Sequence, residues 1–134
     1  MAMQPEQSYR YVLFASIVAR FMNKVPQDVL VLIDEAYIEF VTTTETASAL
    51  PLLKEFTNMG LMRTFSKAYG LANYRVGYLV LSPELVNYVQ AIRLPYNLNS
   101  VSQVAAEAAL WIKPLLRMLW QPMLRLVKAG KLAR

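Results

Sequence analysis

Cysteine and histidine are both absent from this sequence, and each absence removes a class of chemistry. Without thiols there are no disulfides and no thiolate metal sites. Without imidazoles there is no zinc chemistry of the usual kind and no histidine acting as general acid or base. Any proton-transfer group must therefore be a Lys, Asp, Glu or Tyr. Long apolar runs are missing as well: none reaches the roughly 18 residues that a membrane-spanning helix needs. Glu6 and Arg10 interrupt the first ten residues, so no charged-then-apolar signal pattern opens the chain. The default expectation is a cytoplasmic protein with no membrane partner.

Acids are scarce in one region only. Residues 1–107 hold eight Lys/Arg against nine Asp/Glu, a net of −1, whereas the last 27 residues hold six cations and no acid, which yields the overall +5. The basicity belongs to a tail, residues 111–134, and this distribution argues against a nucleic-acid partner. Pro114 and Pro122 interrupt any continuous helix there, which weakens a reading of the tail as an amphipathic membrane or partner segment. What is plentiful is apolar surface. A hydrophobic fraction of 56% with a mean hydropathy of +0.30 is high for a free-standing domain of 134 residues and suits the buried part of something larger.

Periodicity divides the chain. Val12, Leu13, Ile17 and Phe21 recur at helical spacing from Tyr9 to about Lys24, with Ser8 as a cap. Val29 to Ile33 is a continuous β-branched and aliphatic run, which fits a strand buried on both faces. Thr42 to Thr46 reads as a polar connection and Ser48 to Asn58 as a short helix presenting Leu52, Leu53 and Phe56. Short strands follow at Leu61 to Thr64 and Val76 to Leu81. Ser82-Pro83-Glu84 opens a helix that runs to about Arg93 with Leu85, Val89 and Ile92 on one side. Ser100 and Gln103 form a capping-box pattern for an alanine-rich helix to about Leu110. The alternation predicts α/β layering around a mainly parallel sheet.

The chemistry concentrates at two places. In Arg63-Thr64-Phe65-Ser66-Lys67-Ala68-Tyr69-Gly70, a lysine follows two hydroxyls in a segment broken by glycine, and Arg75 lies eight positions on. A lysine amine attacks carbonyls only when deprotonated, and a neighbouring cation or desolvation favours that state. Thr64 and Ser66 can donate to a phosphate that Arg75 grips through its planar fork. The cofactor offering both an aldehyde and a phosphate is pyridoxal phosphate. Asp34, closing the Val29–Ile33 strand, stands where open α/β sheets place ligand-binding carboxylates. There it can pair with a pyridine nitrogen, and Tyr37 can donate its phenol to the ring's 3-oxygen.

Taken together, Asp34-Glu35-Ala36-Tyr37, Thr64 to Leu71, Arg75-Val76-Gly77-Tyr78 and Arg93-Leu94-Pro95-Tyr96-Asn97 with Ser102-Gln103 resemble the fold-type I aminotransferases. Within them they are most similar to the histidinol-phosphate aminotransferase family. The resemblance spans roughly residues 10 to 110. It implies a three-layer large domain, incomplete here, over residues 1–110, followed by a tail at 111–134 that is atypical for the family. It implies Lys67 as the catalytic lysine that bonds the cofactor and carries the substrate proton, Asp34 at the pyridine nitrogen and Tyr37 at the 3-oxygen. Ser66, Arg75 and, more weakly, Thr64 are implied at the phosphate. It further implies a homodimer and reversible amino transfer between histidinol phosphate and 2-oxoglutarate. Aromatic aminotransferases and threonine-phosphate decarboxylases share the same residue pattern and stay open as alternatives, as does a non-catalytic remnant of the fold. The family's upstream glycine-containing phosphate loop, its ring-stacking aromatic and its downstream substrate-clamping arginine are not recognisable in these 134 residues.

Overall fold

The computed structural model describes residues 15–41 and 47–112. The predicted Ser8 cap, the first six residues of the predicted first helix, the Thr42–Thr46 connection and nearly all of the basic tail lie outside them. Among the described residues, three helices accompany a three-stranded sheet: α1 (Ala15–Met22), β1 (Val31–Asp34), β2 (Met59–Thr64), β3 (Gly77–Val80), α2 (Pro83–Ile92) and α3 (Ser100–Trp111), with short 3₁₀ turns at Ile38–Phe40, Leu50–Lys54 and Ala72–Tyr74.

Among the described residues the sheet is mixed, a parallel pair with one antiparallel strand added. β1 runs parallel to β2 with Asp34 opposite Met62, whereas β2 and β3 are antiparallel with Thr64 opposite Gly77. A parallel return needs a crossover long enough for a helix. The twelve residues between Thr64 and Gly77 hold only the lysine loop and one 3₁₀ turn, so β3 doubles back beside β2.

One face of the sheet carries the first core. Val31 and Ile33 of β1, Met59 and Leu61 of β2 and Val80 of β3 pack with Val18 and Met22 of α1 and with Ala49, Leu52 and Phe56. The helix stripe differs from the predicted one. Ile17 and Phe21 are 39% and 54% exposed, while Val18 and Met22 are buried, because Ala15, Val18, Ala19 and Met22 recur at i, i+3, i+4 and i+7 and small alanines let the helix approach the strands. The predicted helix over 48–58 shrinks to the five-residue turn at Leu50–Lys54. There Ser48 and the amide of Ala49 bond to Glu35 instead of extending a helix.

β1 is not buried on both faces among the described residues. Leu32 remains 44% exposed, since strand alternation turns it away from this core. The apolar stripe predicted for α2 likewise lies largely in the open, with Ile92 81% exposed.

The second core holds the lysine loop. Phe65, Ala68, Tyr69 and Val76 pack with Ala106 and Ala109 of α3, joined by Phe40, Leu71, Tyr78 and Leu98. The cap of α2 is Ser82 as expected, its hydroxyl accepting from the amide of Leu85. That of α3 is Asn99, whose side chain accepts from the amide of Ser102 at 2.8 Å, so Ser100 is the first helical residue and not the cap. Ser102 itself is fully buried and donates its hydroxyl to the carbonyl of Tyr74 at 2.6 Å, which pins the 3₁₀ turn before Arg75 to α3.

Candidate active site

All six predicted site residues lie at one edge of the sheet. Asp34 closes β1, Thr64 closes β2, Ser66 and Lys67 follow within three residues, Tyr37 follows Asp34 by three, and Arg75 enters antiparallel β3 just before Gly77. This is the carboxyl edge of the parallel pair, where α/β sheets bind ligands.

The lysine loop is shaped by its own backbone and by what lies under it. The amide of Phe65 bonds to the carbonyl of Val76, that of Leu71 to Phe65, and that of Gly70 to Lys67. Gly70 has φ +69°, a left-handed conformation that glycine adopts without a steric penalty. Phe65, Ala68 and Tyr69 are buried on the inner side while Lys67 is exposed. Phe65 stacks obliquely on Tyr69 and Tyr78 with ring centroids 4.8 and 5.7 Å away. The buried Phe65, Ala68 and Tyr69 thus hold the loop from its inner side and leave the Lys67 amine on the outer one.

That amine sits over the face of Tyr37, its Nζ 5.2 Å from the ring centroid, which is cation–π range. The structure therefore brings Lys67 of the second segment against Tyr37 of the first. Thr64 acts locally, its hydroxyl accepting from the amide of Ser66 at 3.0 Å to set the turn into Lys67. Asp34 accepts from the amide of Ala36 at 2.9 Å, a turn that leads toward Tyr37. Arg75 adopts a left-handed backbone, φ 51°, and its Nη1 donates to the carbonyl of Ala72 at 3.0 Å. Gly77 is forced by close approach, since a Cβ there would stand 2.8 Å from the carbonyl oxygen of Arg63.

Two residues with no role assigned from sequence prove central to the architecture. Glu35, buried, and Arg63, part-buried, form an ion pair at 2.7 Å, with side chains 5% and 13% exposed. Burial opposes the charge on Arg63, but the hydrogen bond and charge of Glu35, with Tyr78 beside it, outweigh that and hold its pKa above the ordinary value. The available signal is positional: an acid one residue past a strand end and a base one residue before the next strand end alternate onto the same face. Burial pushes the Tyr69 phenol up to about 12, assisted by the charge of Glu39.

Comparison with known proteins meets this geometry. Residues 17–118 match the family model "Aminotransferase class I and II". The chain is 54% identical over 90 residues to a histidinol-phosphate aminotransferase of Limosilactobacillus fermentum, covering 67% of this chain and 25% of that protein. It is 50% identical over 91 residues to the Bacillus licheniformis enzyme of the same name, covering 68% and 25%. Among solved structures, histidinol-phosphate aminotransferase from Sinorhizobium meliloti in complex with pyridoxal-5'-phosphate superposes with a TM-score of 0.72 at 32% identity, over 79% of this chain and 29% of that one. L-threonine-O-3-phosphate decarboxylase from Porphyromonas gingivalis superposes with 0.65 at 28% identity, over 75% and 30%. The chain spans about a quarter of the length of the curated relatives it matches. By its matched sequence and by its fold, this chain belongs to the class I and II aminotransferases.

Proposed function

We propose that this chain carries the lysine side of a pyridoxal-phosphate site and serves amino transfer between histidinol phosphate and 2-oxoglutarate. The observation that carries the reading is the placement of the Lys67 amine over the Tyr37 ring, at the edge where Asp34 ends its strand and Arg75 enters the next. The donor set fits the cofactor by its chemistry. An amine stands for the aldehyde, a carboxylate for the ring nitrogen, a phenol for the ring oxygen, and two hydroxyls with a guanidinium for the phosphate. When bound, pyridoxal phosphate supplies the aldehyde that bonds an amine and a ring that draws electrons from the adjoining carbon.

In this reading Asp34 would pair with the ring nitrogen and keep it protonated, and Tyr37 would bond the ring's 3-oxygen. Ser66 and Arg75 would bind the phosphate, with Thr64 a weaker second hydroxyl that also shapes the turn presenting Ser66. Lys67 would bond the cofactor's aldehyde with loss of water, and its amine, freed when the substrate's amine takes its place, would take and return a proton at the substrate's α-carbon as general base and acid. The substrate choice is supported by identities near 50% with proteins named histidinol-phosphate aminotransferase. With it go a homodimer, carried over from the family resemblance and checked by sedimentation, and the cytoplasmic location expected from the sequence, checked by fractionation.

The test supplies the full chain and pyridoxal phosphate with histidinol phosphate and 2-oxoglutarate in one assay and with L-threonine O-3-phosphate in a parallel one. Glutamate formed by the wild type and not by Lys67→Ala is the expected result. Carbon dioxide released from threonine phosphate without glutamate would move the assignment to the decarboxylases, for which the Porphyromonas neighbour speaks. Neither product would leave the remnant reading in its place.

A further inference from the structure

Beneath the edge that carries Lys67, the Glu35–Arg63 pair joins three segments. Arg63 donates to Oε2 of Glu35 from Nε at 3.0 Å and from Nη2 at 2.7 Å, and Nη2 also donates to the Ser48 hydroxyl at 2.9 Å. Ser48 donates to the same carboxylate oxygen at 3.0 Å, and the amide of Ala49 donates to Oε1 at 2.7 Å. Every contact is charge-assisted or bound to a charge-assisted partner, and the guanidinium meets the carboxylate through its rigid fork.

Position gives this cluster its meaning. Glu35 directly follows Asp34, and Arg63 directly precedes Thr64, three residues before Ser66 and four before Lys67. Successive strand residues point to opposite faces. The pair therefore holds the β1 and β2 ends from one face, while Asp34 and Thr64 belong to the other. Removing two charges from water costs about as much as the pair returns, so a buried ion pair adds little net stability and its useful product is a fixed geometry.

We infer that Glu35 and Arg63 are positioning residues, which set the spacing and orientation of the Asp34–Tyr37 and Thr64–Lys67 segments. The inference rests on the reading of those segments as cofactor ligands. Its mechanical part, that the pair orders the lysine loop, stands independently of any cofactor.

The test uses the full chain as wild type, Glu35→Gln, which keeps shape and loses charge, and Arg63→Lys, which keeps charge and loses the fork. Amide hydrogen exchange is measured without cofactor, followed by titration with pyridoxal phosphate. Both variants are expected to exchange about tenfold faster at residues 35–41 and 64–71, with 18–22 and 52–61 unchanged, and to bind pyridoxal phosphate about tenfold more weakly. Wild-type loop exchange in both variants would overturn the inference. So would acceleration of the core by the same factor, which marks a merely structural pair. If the wild type takes up no pyridoxal phosphate, the functional reading fails by itself, and the exchange measurement still decides whether the pair orders the loop.

Discussion

Replacing each sheet glycine by alanine separates a backbone clash from a side-chain clash. At Gly77 the new Cβ would stand 2.8 Å from the Arg63 carbonyl oxygen and 3.7 Å from the Cα of Thr64. Those atoms belong to the paired strand and can yield only if the end of β2 moves. Overpacking of that kind costs roughly 1–3 kcal/mol, offset by about 0.4–1 kcal/mol because alanine restricts the unfolded chain. The expected net loss is about 1–2 kcal/mol, a measurable part of the roughly 5–15 kcal/mol that holds a domain folded. At Gly60 the Cβ would press on the Cδ2 tips of Leu81 and Leu32. Both are ends of flexible side chains, Leu32 44% exposed and Leu81 half-buried, so they can turn aside and the net change should stay within about 0.5 kcal/mol. Urea unfolding of both variants measures the difference as a shift in midpoint at constant slope. A Gly60→Ala variant that loses more stability than Gly77→Ala would refute the reasoning.

The other expectations follow from single contacts. Ser102→Ala leaves the Tyr74 carbonyl without its buried donor, and the expected cost in the same urea assay is about 1–3 kcal/mol. Arg75→Gly should relieve a left-handed backbone worth roughly 1–2 kcal/mol, less glycine's own entropy cost of about 0.5–1 kcal/mol. Thermal stability should hold or rise slightly while pyridoxal-phosphate affinity, read by titration, falls. Tyr69 has a raised folded-state pKa of about 12 against 10.0, because burial favours the neutral phenol. Its stabilising share is therefore complete below pH 10 and is lost as pH rises from there toward 12. Tyr69→Phe should flatten the fall in melting temperature across that interval, and an unchanged alkaline slope would count against the burial argument.

The candidate site could be proposed from sequence because its residues announce chemistry by type and spacing. Lys67 after Ser66, Arg75 eight positions later and Asp34 at a strand end each carry a functional group that few structural roles demand in that order. The strands were legible from apolar runs, but their direction was not. Mixed pairing depends on whether the segment between β2 and β3 can hold a crossover helix, and local pattern does not weigh that length. The buried face of α1 escapes a hydrophobicity pattern because alanine counts weakly in an apolar stripe, yet Ala15 and Ala19 are what let Val18 and Met22 reach the sheet. Ser100 lost the cap of α3 to Asn99 because two neighbouring residues could both fill it, and only the backbone geometry chooses. Glu35 and Arg63 escaped notice since each is an ordinary surface residue by composition. They become an ion pair only when two strands, 28 residues apart in sequence at this point, are laid side by side.

The central claim is that Lys67 is the amine that bonds pyridoxal phosphate. It is tested most directly by incubating the full chain with the cofactor, reducing with borohydride and mapping the modified peptide by mass, with Lys67→Ala alongside. One phosphopyridoxyl group on Lys67, absent from the variant, is the predicted result. Label spread over Lys24, Lys54 and the tail lysines, or label that persists in Lys67→Ala, would contradict it.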